Sequence, residues 1–288
     1  MFESNLLRRH ALALAGFMVA VGLSGAALSQ DLMSKAMDKG INVAFYNFKP
    51  YTYMDENNNL VGTDIELLKV VLEGIGGNID NAQAVDWGAL IPGVQAGRFD
   101  VVAAGMFVNP DRCAQVRFSQ PYFGIKQALV VLKGNPHGLS NFESVRDKGV
   151  KIGVISGAAQ HKFSTRAGVS EDNILQLPDN PAGIAALRAG RIDAWAVSAP
   201  GVRDIVAGVP EGDLEAGPAF AEVAGEPAVS HGAFAFRKED AAFVDEFDKH
   251  LTAVVGTPEH IAIMEKYGMT QDELPVAGTT TEMLCAGG

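Results

Sequence analysis

The chain has 288 residues, is 48% apolar and carries a formal net charge of -11. So acidic a surface excludes nucleic acid and anionic lipid as natural partners. Its six His show no ligand spacing with either of its two Cys, which excludes a zinc site and leaves no metal or cofactor motif.

Residues 1–29 read as a secretory signal peptide. Arg8 and Arg9 precede an apolar run from Ala11 to Leu23, and Ala27 and Ser29 stand ahead of a cleavage point at Gln30. The run is short for a membrane span, no later segment approaches 18 uninterrupted apolar residues, and no Cys follows the cleavage point to accept a lipid. The mature protein is therefore expected to be soluble and exported. Loss of Glu3, Arg8 and Arg9 moves the charge from -11 to about -12.

A first strand is expected over 41–46, followed by a helix that Asp64 caps and that runs through Leu67, Val70 and Val71 to a stop at Gly74 and Gly76. After a strand over 82–85, Trp87 opens a helix with Leu90, Ile91 and Val94 at helical spacing, and Gly97 fits its C-terminal cap. A short, buried, β-branched strand follows over 100–104. Gly105 ends it, where a missing side chain lets the backbone approach a ligand at the strand's carboxyl end. Phe107 and Arg112 project from the next loop and helix start, and Arg presents a rigid fork of donors that matches a carboxylate. Further strands are expected over 128–133, 151–154, 173–177, 194–196 and 232–237, alternating with helical patterns, which argues for α/β layers. The Gly-, Pro- and acid-rich stretch 209–228 reads as a mobile surface loop.

The ordered motifs W-x-x-L-I-P-G-x-x-x-G-R-x-D, A-G-M-x-x-x-P-x-R and F-S-x-P-Y, between Trp87 and Tyr122, resemble the first-lobe signature of type II periplasmic solute-binding proteins of the polar amino acid transport family. VAFYNFKPYTYMDENNNLVGTDIELLK, KIGVISGAAQHKF and GRIDAWAVS extend the resemblance from about Ile41 to Tyr267. It implies an α/β fold of two lobes, joined by a hinge of two crossover strands around 124–129 and 230–235, with a ligand cleft between them. Lobe 1 would comprise 30–127 and 232–288, and lobe 2 would comprise 128–231. It also implies a monomeric binding component, not an enzyme, that works in the periplasm with an ABC permease and ATPase. A cyclohexadienyl-type dehydratase of the same fold is the enzymatic alternative, and it would need an acid in the cleft.

The resemblance places the ligand α-carboxylate on Arg112. Relatives that bind amino acids hold the α-ammonium with an acidic residue where this chain has Ser198 and a hydroxyl residue where it has Phe107. A primary ammonium enclosed without those anchors would lose its hydration at a cost of several kcal/mol. Tyr51, Trp87 and Phe107 fall where relatives stack rings on the ligand, and three rings without an acidic partner suit a delocalised or alkylated cation. The ectoine- and hydroxyectoine-binding subfamily is similar in these positions, in the P-x-R-C run at Pro110 to Cys113 and in the L-C-A ending at Leu284 to Ala286.

A zwitterionic compatible solute is therefore the expected ligand, with betaines and a polar amino acid or opine as alternatives. The subfamily's ring N–H acceptor, an acidic residue two before Pro50, is Phe48 here. From lobe 2, Ser156 to Gln160 opens a helix whose free N–H groups suit the carboxylate, although Ala159 replaces a hydroxyl residue common there. Cys113 and Cys285 are expected to bridge in an oxidising compartment, tying the C-terminal tail to the site. His161 reads as a surface residue.

Overall fold

The computed structural model describes residues 32–209 and 212–287, so the expected signal peptide at 1–29 lies outside the described residues. Apolar residues at Ile41, Val43, Ala44 and Phe45 make β1 (Ile41–Phe45) a buried strand. A small hairpin of β2 (Tyr53–Met54) and β3 (Leu60–Val61) then leads into the helix Thr63–Gly74. β4 (Ile79–Ala84), β5 (Val101–Val102) and β6 (Arg117–Phe118) complete the first run of strands. β7 (Phe123–Ile125) leads out of this region, and β8 (Gln127–Leu132) opens the next. There follow β9 (Ile152–Ile155), β10 (Ile174–Leu177), β11 (Ala194–Ser198) and β12 (Leu214–Ala216). A hairpin of β13 (Glu222–Val223) and β14 (Glu226–Pro227) precedes β15 (Ser230–Gly232) and β16 (Ala235–Phe236).

These strands form two five-stranded mixed sheets, ordered β4-β1-β5-β16-β6 and β10-β9-β11-β8-β12. In each, three parallel strands are extended by two antiparallel pairings, so that one strand, β16 in the first sheet and β8 in the second, runs against the other four. β7 and β15 belong to neither sheet, pair with each other in antiparallel fashion and form the two-stranded hinge between the sheets, with Gly232 also bridging Phe107. This is the type II periplasmic binding protein fold, and it places the carboxyl ends of β1 and β5 opposite those of β9 and β11. In the first lobe Ile65, Leu68 and Leu72 are buried in one cluster with Phe243 and Phe247 of the helix Ala241–Val254. In the second, Trp195 is fully buried and donates from Nε1 to Asn180 Oδ1 at 3.0 Å.

The structure corrects several expectations. Asp64 does not cap its helix: the N-cap is Gly62, and the carboxylate turns inward from the first turn. The strand expected over 232–237 is divided, because Gly232 still pairs in the hinge while Ala235 has moved into the first sheet. Only 101–102 of the strand expected over 100–104 pairs regularly, and Gly105 at φ 62° turns the chain away. The stretch expected as a mobile surface loop contributes β12 and the β13–β14 hairpin, since Leu214, Val223 and Ala228 supply buried anchors that its acid-rich composition concealed.

Candidate functional site

The two sheets face each other across a cavity of about 390 Å³, its mouth included, lined by twelve residues from both lobes. Phe48, Tyr51, Trp87, Gly105 and Phe107 come from the first lobe, and Ala159, Gln160 and Ser198 from the second. The remaining wall is apolar, with Ala104, Ile155, Ala158 and Val197. The rings are set edge to face: Phe48 and Tyr51 lie 5.6 Å apart at 65°, and Tyr46 braces Trp87 from behind at 5.7 Å and 84°.

Arg112 lies beside this wall and is not among its lining residues, which differs from the position expected for a direct ligand contact. It sits in the short helix Pro110–Cys113, whose N-cap Asn109 accepts the Arg112 N–H at 3.0 Å. The guanidinium is buried, with Cζ 5.3 Å from the Trp87 ring. Nη1 donates to Phe107 O at 2.7 Å and Nη2 to Gly157 O at 3.1 Å. No ion pair joins it to a described carboxylate, and burial alone lowers its pKa to about 10. A buried cation held by two carbonyl dipoles and a ring face is under-compensated, and a carboxylate is its natural complement.

The lobes are closed on one another. Tyr46 OH donates to Pro178 O at 3.2 Å, Tyr51 OH to Ser198 Oγ at 2.7 Å and Trp87 Nε1 to Gly157 O at 3.2 Å, and all three bonds cross the cleft together with that of Arg112. Ser198 also caps the helix Ala199–Ala207. Its hydroxyl oxygen is therefore occupied as an acceptor, and it does not take over the role of an acidic ammonium anchor. The lobe 2 helix begins at Ala159, not Ser156, because the Ala158 N–H is spent on Ile155 O. His161 lies outside the cavity lining, with Nε2 3.0 Å from Glu171 Oε2.

Asp64 is a site residue that the sequence reading misassigned as a cap. Its carboxylate is fully buried and accepts from the Gly105 N–H and from Thr63 Oγ1. Gly105 is required where it stands: at φ 62°, a Cβ would lie 2.7 Å from the Tyr51 ring. Asp64 thus holds the strand end against the cage. Burial raises its pKa from 3.8 to about 6, against the lowering by its hydrogen bonds.

Because the folded value lies above the unfolded one, Asp64 favours folding most below pH 4, and that contribution is lost as the pH rises through 6. Asp64→Asn keeps an acceptor for Gly105 without the charge. It is expected to exceed the wild type in urea-unfolding stability by about 3 kcal/mol at pH 8, and to converge with it near pH 4. A difference independent of pH would contradict this role.

Cys113 and Cys285 form a disulfide across 172 positions of sequence. The tail helix Thr281–Cys285 is also fastened by Thr281 Oγ1, which donates to Ser119 O at 2.5 Å. The sequence reading also missed Tyr46, Ile155 and Val197, because apolar and aromatic strand residues do not announce which sheet end they line. Among the described residues no cluster suited to a metal occurs, and no helix is long and apolar enough to cross a membrane.

Two lobes closed over a largely apolar cavity, with a buried guanidinium beside it, make a cleft suited to holding a small ligand. Residues 41–270 match the family described as bacterial extracellular solute-binding proteins, family 3, and the chain belongs to that family. It is similar to the probable amino-acid ABC transporter periplasmic-binding protein y4tE of Sinorhizobium fredii, 33% identical over 92% of this chain and 88% of that protein. The crystal structure of EhuB in complex with hydroxyectoine superimposes with a TM-score of 0.78 at 32% identity, covering 90% of this chain and 98% of that one. A weaker similarity, 27% over 46% of this chain and 49% of that protein, links it to cyclohexadienyl dehydratase of Pseudomonas aeruginosa.

Proposed function

We propose that this protein is the periplasmic solute-binding component of an ABC importer and that its ligand is a zwitterionic compatible solute, ectoine or hydroxyectoine. The carrying observation is the buried, carboxylate-free Arg112 beside a cavity walled by Phe48, Tyr51, Trp87 and Phe107. In this reading the ligand carboxylate approaches Arg112 and the free N–H groups at Ala159 and Gln160, while the delocalised cation lies against the rings. Two relationships support it: a similar chain named as an amino-acid ABC transporter binding protein, and a similar structure that holds hydroxyectoine.

The protein acts by binding coupled to closure. Lobe 1 comprises 30–127 and 232–288, lobe 2 comprises 128–231, and the β7–β15 pair flexes between them. A ligand that touches both lobes favours the closed form, which the permease and its ATPase would then recognise. In this reading the protein binds and releases its ligand and catalyses no reaction.

Isothermal titration of the mature protein with ectoine, hydroxyectoine, glycine betaine, proline betaine and the twenty amino acids tests this reading. Micromolar or tighter binding of ectoine or hydroxyectoine is expected. Tight binding confined to a common α-amino acid would replace the ligand assignment.

A further inference from the structure

A chain of buried amides runs from the cavity to the hinge. Gln160, 5% exposed, lines the cavity and donates from Nε2 to Gln127 Oε1 at 2.8 Å. Gln127, fully buried at the start of β8, donates in turn from Nε2 to Ser230 Oγ at 3.0 Å and Ala228 O at 3.3 Å. Ala228 precedes β15, and Ser230 is its first residue.

The direction of this chain is fixed by its last member. A backbone carbonyl only accepts, so Ala228 O requires the amino end of Gln127. Turning Gln127 over would set its oxygen against the Ala228 carbonyl oxygen and leave both without a donor. With its amino end spent on Ala228 and Ser230, Gln127 turns its oxygen toward Gln160, and Gln160 must answer with its own amino group. The Gln160 Oε1 is left with no partner among the described residues.

We infer that Gln160 Oε1 is a specificity-determining acceptor for a ligand N–H, oriented by Gln127 and ultimately by the hinge strand. The inference rests on the zwitterion reading above and deepens it. Phe48 stands where the related subfamily has an acidic acceptor, and Ser198 Oγ already accepts from Tyr51. Gln160 therefore supplies from lobe 2 what the aromatic wall of lobe 1 cannot. It favours a cyclic amidinium, which donates N–H, over a quaternary ammonium, which does not.

The test is calorimetric titration of wild type, Gln160→Met and Gln127→Met with ectoine, which carries N–H donors, and with glycine betaine and proline betaine, which carry none on a quaternary nitrogen. Thermal unfolding of each variant is measured alongside. Gln160→Met is expected to weaken ectoine binding about tenfold or more, the range for a hydrogen bond to a charged group, while betaine affinities stay within about threefold. Gln127→Met is expected to shift the ratio in the same direction, since a Gln160 amide free to turn no longer presents its oxygen. Equal loss for all ligands, or an unchanged ectoine-to-betaine ratio in a folded Gln160→Met variant, would overturn the inference. A wild type that binds none of these ligands would instead overturn the ligand class and this inference with it.

Discussion

Arg112→Met is expected to weaken ligand binding by about 30- to 5,000-fold, the 2–5 kcal/mol typical of truncating one partner of a buried charge pair, with no loss of unfolding temperature. The two effects separate because the same group is treated differently by folding and by binding. Folding buries the guanidinium beside the cavity with the Phe107 and Gly157 carbonyls and the Trp87 ring for compensation, and no carboxylate among the described residues. An apolar side chain of similar length removes that desolvation penalty, so the protein without ligand is as stable or more so. Binding supplies the missing carboxylate and is what the substitution removes. Arg112→Lys is expected to fall nearer the Met variant than the wild type, because an ammonium cannot form two parallel bonds. Titration and thermal unfolding of the same samples check both halves. Binding reduced less than tenfold would mean that the carboxylate is held elsewhere, with the free N–H groups at Ala159 and Gln160 as the next donors.

Removing the disulfide is expected to have the second-largest effect. The double substitution Cys113→Ala/Cys285→Ala should lower unfolding stability by about 2–5 kcal/mol, since the bond closes a loop of 172 positions and limits the unfolded chain. A consequence for binding is expected as well. Cys113 ends the four-residue helix that carries Arg112, and a helix so short has little stability of its own. Without the tail fastened to it, the guanidinium should sample more positions and the ligand affinity should fall severalfold. Denaturant unfolding under oxidising conditions gives the first effect and titration the second. Unchanged stability in both would show that the contacts of Thr281 with Ser119 and Gln120 anchor the tail alone.

The parts of the fold legible in the sequence were those written in periodicity. Buried strands carry continuous apolar runs, as at Ala128–Leu132 and Ala194–Val197, and the Trp87 motif carries its own glycine stops. Less legible were features decided by distant partners. Asp64 has the composition of a helix cap, yet the Gly105 N–H, 41 positions away, drew its carboxylate inward. The 209–228 stretch reads as solvent-facing because its apolar anchors are spaced singly among acids, and only β8 as a neighbour turns Leu214 into an edge strand. Tyr51, Trp87, Phe107 and Ser198 do converge on one cavity, whereas Arg112 lies beside it. Gln127 gave the one unread signal: a polar residue opening a wholly apolar strand has to find a buried partner.

The most direct test of the account uses the two tryptophans as reporters. Trp195 is fully buried in the second lobe, while Trp87 is partly exposed and forms the cavity wall. A ligand cation packed on the Trp87 ring must alter its emission. The measurement is a fluorescence titration of the mature protein with ectoine, alongside Trp87→Phe. A saturable change in the wild type that disappears in Trp87→Phe, with no change from glutamine or arginine, is the predicted result. A saturable response to an α-amino acid and none to ectoine would contradict the account.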